Sequence, residues 1–177
     1  DLGSENGIRV ALMDLSCDIV KEKSYHEKDP FTIQNLKNTL SIIINDFLEE
    51  IEIPLKKILN ICIGVPGIID YNEMKITAAP YLNWEISIND LSLSEPDIPI
   101  ILENDVNLMA LGEKAKGIAQ EFDNFVFVGE RTGIGAGIII NGKLHQGANN
   151  AVGEIGYLLV DPEYAPKNSK DFGCLEK

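Results

Sequence analysis

The stretch that decides the fold begins at Ile98 and reads Ile98-Pro99-Ile100-Ile101-Leu102-Glu103-Asn104-Asp105, followed by a segment rich in Leu, Ala and Glu as far as about Gly117. Ile98 to Leu102 predicts a buried strand, and Glu103-Asn104-Asp105 then lies where that strand meets a helix. Ligands of open α/β sheets bind at this carboxyl edge. An amide beside a carboxylate can hold two neighbouring hydroxyl groups, with the carboxylate as acceptor or general base. The triplet therefore indicates a ligand site or, alternatively, a simple helix cap.

The segments before this stretch predict an α/β arrangement. Ile8 to Asp14 alternates like a strand, and Asp18 to Lys23 can pair with it as a hairpin. An amphipathic helix follows, with Asp29 as its cap, and Pro54 ends it. Strand, strand and helix in this order, leading to another strand, are typical of an α/β fold.

Two further segments connect that helix to the deciding stretch. Ile58 to Val65 is almost entirely apolar and predicts a strand buried on both faces. Pro66 to about Asn89 is expected to be a loop region.

The segments after the deciding stretch predict a second lobe built from antiparallel strands. Asn141-Gly142 is a strong hairpin turn that leads from the apolar run Gly137–Ile140 into Lys143-Leu144-His145. Thr132 to Gly137 carries glycine at every second position, which lets the backbone approach an anion closely or, alternatively, forms a bulged hairpin without a ligand. We therefore expect an N-terminal α/β lobe over residues 1–118 and the start of a second lobe over residues 119–177.

Composition and charge exclude several classes of protein. Fifteen Lys and Arg residues against 28 Asp and Glu give the chain a formal net charge of −13, so it is not expected to bind nucleic acid by itself. Three widely spaced cysteines, Cys17, Cys62 and Cys174, favour free thiols and a cytoplasmic location over a disulfide scaffold. No apolar run approaches the roughly 20 residues that span a bilayer.

Taken in order, five segments resemble the ROK family of repressors, open reading frames and sugar kinases. The resemblance implies a ribonuclease H-like, actin-like ATPase fold of two α/β lobes with a sugar in the cleft, and a homo-oligomer. It also implies that the first strand is cut at Asp1 and that the second lobe, incomplete here, continues beyond Lys177. The matching segments are Val65–Asp70, Glu103–Glu113, Thr132–Gly137, Gly153–Gly156 and Gly173–Glu176.

The same resemblance assigns roles to individual residues. Asn104 and Asp105 match the pair that holds the sugar hydroxyls, and Asp105 matches the catalytic base of the kinase members. Other positions match further sugar contacts, at Gly67, Glu154, Tyr157 and Glu176, and a phosphate loop, at Thr132, Gly133 and Gly135.

The zinc motif of many family members is lost in this sequence. Tyr157 stands where the motif has a histidine, and Lys167 and Ser169 stand where it has its first two cysteines. Only Cys174 remains, and one thiolate cannot build a tetrahedral zinc site. The sequence therefore predicts that zinc is absent, and Tyr157 predicts a changed sugar preference or weaker binding.

The phosphate loops also depart from the kinase pattern. Asp1-Leu2-Gly3 is followed by Ser4-Glu5-Asn6, where kinases carry another glycine and a threonine. Glu5 would bring negative charge toward the nucleotide phosphates. Glu130-Arg131 precedes the second glycine loop, and because Arg131 could pair with a phosphate this change is ambiguous.

Three functions follow as hypotheses. The first is the sugar-sensing effector domain of a regulator of the NagC/XylR type, which binds a monosaccharide or derivative, needs no cofactor, and contacts operator DNA only through a missing N-terminal helix-turn-helix. The second is an ATP-dependent, glucokinase-like sugar kinase that uses Mg-ATP, with Asp105 as general base. The third is a degenerate member that binds nothing and serves in assembly.

Overall fold

The computed structural model describes residues 7–25, 33–78, 97–130, 133–159 and Leu175. The chain divides into two compact units, Asp1–Asp105 and Val106–Lys177. The second unit begins within a helix because that helix packs on the strands that follow it. The predicted lobe boundary between residues 118 and 119 stays a prediction.

The first unit opens with the expected hairpin. Strand β1 (Ile8–Met13) pairs antiparallel with strand β2 (Ile19–Tyr25). In the turn between them, Oδ1 of Asp14 accepts hydrogen bonds from the backbone N–H groups of Ser16 and Asp18, at 2.8 and 3.0 Å. These bonds to the Asp14 side chain take the place of the backbone hydrogen bonds that residues in a turn cannot form with an opposite strand.

Helix α1 (Ile33–Glu50) supplies the apolar face of the core. From Leu40 onward its buried apolar residues recur at steps of three and four, so they lie on one side of the helix and pack together against the strands. The predicted cap, Asp29, lies outside the described residues. The buried members of this face and its continuation are Leu40, Ile43, Ile44, Phe47, Leu48 and Ile51.

A polar cluster joins strand β2 to helix α1. Nζ of Lys23 donates to Oδ2 of Asp46 at 2.8 Å and also pairs with the carboxylate of Glu50. The hydroxyl of Tyr25 donates to the same Asp46 oxygen at 2.7 Å. The bonds from Lys23 and Tyr25 hold the pKa of Asp46 below its usual range. Partial burial, followed by the bond to Asp46, raises the pKa of Tyr25 to about 12.

Two parallel strands carry the chain to the deciding stretch. Strand β3 (Ile61–Val65) pairs in parallel with strand β6 (Ile100–Asn104), with Val65 opposite Asn104. The expected start of β3 at Ile58 is wrong, because the N–H of Ile58 donates to the carbonyl of Leu55 to close a 3-10 turn and the pairing with β6 begins only at Ile61. The expected burial on both faces is also wrong, since Cys62 is exposed.

The segment after β3 contains a hairpin, so the loop expected there from the sequence is wrong over this part. Strand β4 (Ile68–Asp70) pairs antiparallel with strand β5 (Lys75–Ala78). Oδ1 of Asp70 accepts bonds from the N–H groups of Asn72 and Glu73 in the turn between them, at 2.8 and 3.1 Å. The remainder of the expected loop, residues 79–89, lies outside the described residues.

The described part of the second unit contains a helix on a three-stranded antiparallel sheet, in the order β7-β8-β9. The Asn141-Gly142 turn joins the last two strands as expected, with φ of 52° and 73°. Its elements are helix α2 (Asp105–Ala115, whose first residue belongs to the first unit) and strands β7 (Phe125–Glu130), β8 (Ile134–Ile140) and β9 (Lys143–Leu144).

Neither helix in the described part of the chain combines the length and the apolar character that crossing a bilayer requires.

Candidate functional site

The carboxyl ends of β3 and β6 bring two of the predicted site residues together. Gly67, just after β3, has φ of +116°, a backbone conformation that suits glycine alone. Its carbonyl oxygen accepts a hydrogen bond from Nδ2 of Asn104 at 3.1 Å. Because Val65 lies opposite Asn104 in the parallel register, the loops after both strands start at the same edge. Gly67, Asn104 and Asp105 therefore lie within one small region of the first unit.

Asp105 begins helix α2 directly after Asn104, and both residues are partly buried. A carboxylate in the first turn of a helix is stabilised by the helix dipole. An amide and a carboxylate side by side supply both donors and acceptors, which suits two neighbouring hydroxyl groups of one ligand. If a phosphoryl donor were present, the same carboxylate could accept a proton from such a hydroxyl.

Glu103 and Tyr71 complete this edge. The sequence includes Glu103 in the candidate triplet without a role of its own and does not single out Tyr71. Glu103 is only 9% exposed. Its Oε1 accepts hydrogen bonds from the hydroxyl of Tyr71 at 2.7 Å and from the backbone N–H of Asn104 at 2.9 Å. One sequence signal could have identified Glu103. It is a glutamate directly after an apolar strand, where a buried acidic side chain needs hydrogen-bond partners.

The nearby thiol of Cys62 is not an attractive nucleophile. Although the residue as a whole is exposed, desolvation of the thiol, followed by the Glu103 carboxylate, raises its pKa. A thiol with a raised pKa stays protonated near neutral pH, and the thiolate is the reactive form.

A cavity of about 150 Å³ lies elsewhere in the first unit, between β1, α1 and β3. Its lining is mainly aliphatic, with Arg9 and Asn60 among the few polar residues. A sugar needs several polar partners, which the edge at Asn104 supplies better than this cavity.

In the second unit, the glycine repeat has a packing role. A Cβ on Gly135 would lie 3.2 Å from Cγ2 of Val106, and one on Gly137 would overlap Cβ of Ala110. Both partners are on helix α2, so the repeat lets the helix approach strand β8 closely. The register of β7 with β8 runs without a shift from Phe125 to Glu130, so the expected bulge is not found there, and the predicted phosphate role of Gly133 and Gly135 stays a prediction. Thr132 lies outside the described residues.

The Gly153–Gly156 motif forms a turn that strand β8 supports. Gly153 has φ of +92°, and its carbonyl oxygen accepts a bond from the N–H of Ala136 at 2.7 Å. Glu154 is partly buried and precedes a 3-10 turn at Ile155–Tyr157, in which Tyr157 is 44% exposed. The predicted sugar contact Glu176 lies outside the described residues.

Among residues 7–25, 33–78, 97–130 and 133–159, no group of three or more His, Cys, Asp or Glu side chains is placed to hold a metal ion. The positions of the lost zinc motif at Lys167, Ser169 and Cys174 are not among the described residues, so the zinc prediction stays a prediction.

Comparison with known proteins places the chain in a family. The sequence profile of the ROK family matches residues 1–177. The chain belongs to the ROK family. The xylose repressor of Bacillus subtilis (strain 168) is 33% identical over 172 residues, which is 97% of this chain and 44% of the repressor. A glucokinase of Halalkalibacterium halodurans is 37% identical over 121 residues, 67% of this chain and 37% of the kinase.

Solved structures show the same fold. A ROK family transcriptional regulator, described as a homolog of the Escherichia coli MLC protein, superposes with a TM-score of 0.74 at 22% identity. The match covers 94% of this chain and 42% of the regulator. ROK regulators and kinases have the actin-like ATPase fold, and the mixed α/β architecture expected from the sequence agrees with it. The chain spans less than half the length of these relatives.

Proposed function

We propose that this chain is the sugar-sensing part of a ROK-type transcriptional regulator, which binds a monosaccharide or derivative. The observation that carries the proposal is the Asn104–Asp105 pair at the carboxyl edge of β3 and β6, with the Asn104 amide anchored on the Gly67 carbonyl. An anchored amide is pre-oriented, so a ligand pays less to order it on binding. Glu154, Tyr157 and Glu176 are proposed as further sugar contacts from the family motif.

Two observations support a regulator over a kinase. The alignment with the xylose repressor runs through nearly the whole chain, whereas the alignment with the glucokinase covers two thirds of it. The sequence also has Glu5 where the kinases carry their first phosphate loop, and this charge opposes the phosphates of a nucleotide, whereas the change at Glu130-Arg131 favours neither candidate.

In this proposal the sugar acts by shifting an equilibrium between two conformations of the whole regulator. It can shift that equilibrium only by its difference in affinity for the two states. Contact with operator DNA would belong to a helix-turn-helix segment outside this chain, because a net charge of −13 repels phosphates. Asp105 then serves as a hydroxyl acceptor rather than as a catalytic base. We further propose a homo-oligomer without zinc or another cofactor.

Calorimetric titration of the full-length protein with D-xylose and D-glucose tests this function. We expect one of these sugars to bind, and Asp105→Asn to weaken binding by about tenfold or more through loss of a charged acceptor. The matched control is Asp97→Asn, because Asp97 is exposed and lies before the opposite end of strand β6. If neither sugar binds to wild type, or if the control weakens binding equally, the proposal is wrong.

A sugar kinase is the second candidate, favoured by the 37% identity to a glucokinase. Asp105 would then deprotonate a sugar hydroxyl that attacks the γ-phosphate of Mg-ATP. This candidate predicts ADP release that depends on the sugar and is abolished by Asp105→Asn. Sugar binding without any ADP release would exclude it.

A further inference from the structure

Two hydrogen bonds tie the β4–β5 hairpin to the end of strand β6. The hydroxyl of Tyr71, in the turn of the hairpin, donates to Oε1 of Glu103, and Nδ2 of Asn104 donates to the carbonyl of Gly67 at the base of the hairpin. On β6 the two bonds are made by the adjacent residues Glu103 and Asn104. On the hairpin they are made by Gly67 and Tyr71, which lie directly before and directly after β4. They hold the hairpin at the edge where the sugar pair lies.

Glu103 controls the backbone of Asn104 as well. The same Oε1 atom that accepts from Tyr71 also accepts from the N–H of Asn104. Turning the Glu103 side chain away from either donor would therefore weaken both bonds. Asn104 has its backbone N–H fixed by Glu103 and its side-chain amide fixed by Gly67, so both its position and its orientation are set before a ligand arrives.

We infer that Glu103 and Tyr71 are positioning residues for sugar binding: they hold Asn104 and the hairpin in the binding geometry without contacting the sugar. The inference rests on the proposed function of Asn104 and Asp105. A negative carboxylate suits the role, because bonds to an ionised acceptor are shorter and stronger than bonds between neutral groups. Glu103 is also nearly buried, so water does not readily replace its partners.

The test uses Tyr71→Phe and Glu103→Gln in the full-length protein. The first substitution removes one hydroxyl donor, and the second keeps an acceptor oxygen but removes the charge. We expect each to weaken the binding of D-xylose or D-glucose, whichever binds wild type, by about threefold to tenfold. The double variant should lose little more than the stronger single variant, because the residues act through one shared oxygen.

Tyr25→Phe is the matched control. Tyr25 also donates its hydroxyl to a carboxylate at 2.7 Å in the first unit, but its partner Asp46 joins β2 to α1. We expect Tyr25→Phe to lower thermal stability by as much as Tyr71→Phe does, while sugar affinity stays at the wild-type value. A purely structural role for Tyr71 would give the two variants the same affinity.

The outcomes separate this inference from the proposed function. If wild type binds neither sugar, the proposed function is wrong and the positioning role is overturned as well. If wild type binds and both Tyr71→Phe and Glu103→Gln bind equally well, only the positioning role is overturned. Equal losses of affinity in Tyr25→Phe and Tyr71→Phe would overturn it too.

Discussion

Replacing Gly153 with alanine tests how the Gly153–Gly156 turn is held on strand β8. Gly153 has φ of +92°, where a residue with a Cβ is strained, and a Cβ at this position would overlap the carbonyl oxygen of Ala136. The same glycine accepts the N–H of Ala136 at 2.7 Å. An added methyl group therefore pushes apart two backbone segments that a hydrogen bond joins.

The expected cost of Gly153→Ala follows from these contacts. The unfavourable φ contributes about 1–2 kcal/mol, and loss of the bond from Ala136 contributes about 1 kcal/mol. Together they give about 2–3 kcal/mol at this junction. Hydrogen exchange measures the effect directly, because the Ala136 amide is the donor. We expect its exchange to accelerate by about 30- to 100-fold, since each 1.4 kcal/mol is a factor of about ten.

Gly112→Ala is the control within the same unit. Gly112 lies in helix α2 and is exposed, and apart from its chain neighbours and the adjacent helix backbone no heavy atom of the described residues lies within 4 Å of the position that an added methyl group would take. Alanine should stabilise the helix by about 0.5–1 kcal/mol and slow exchange. Unchanged Ala136 exchange in Gly153→Ala, or equal acceleration in both variants, would refute the reasoning.

Two further substitutions probe packing and charge. Gly137→Ala should destabilise the second unit by about 1–3 kcal/mol, because its Cβ would overlap that of Ala110, and faster exchange of helix α2 amides would show it. Lys23→Met should raise the pKa of Asp46, because it removes a hydrogen bond that lowers this pKa in the folded protein. The lowered pKa stabilises the fold above about pH 4, and this stabilisation is lost as the pH falls through the pKa that Asp46 has in the folded state. Wild type should therefore lose more stability than Lys23→Met between about pH 7 and about pH 3 in urea titrations, and equal losses would contradict this. The phenolate absorbance of Tyr25 should titrate near pH 12, and Asp46→Asn should lower that midpoint; an unchanged midpoint would count against the bond.

Local patterns were enough to predict much of the fold. Helix α1 could be predicted because its apolar residues recur with the helical period. The hairpin at Asn141-Gly142 could be predicted because its turn residues favour positive φ. The β4–β5 hairpin was missed since β4 has only three residues, too few for an alternating pattern to stand out beside Pro66 and Gly67.

Only part of the candidate site could be predicted from the sequence, for a different reason. Asn104 and Asp105 are adjacent in sequence and stand at a predicted strand end, so their juxtaposition needs no tertiary information. Tyr71 and Glu103 are 32 positions apart, and their hydrogen bond exists only once β4 and β6 have come together. A sequence pattern does not encode that distance, whereas the structure shows it directly.

The parallel pairing of β3 with β6 also has a consequence for how the protein folds. The hairpins β1–β2 and β4–β5 join neighbouring segments, but β3 pairs Ile61 with Ile100, so the long intervening segment must close first. Closing a longer loop costs more chain entropy, and non-local pairings form more slowly than hairpins. We therefore expect the edge that carries Asn104 and Asp105 to assemble after helix α1 and the two hairpins. A ligand that binds at this edge would find its site only after that slow pairing has formed.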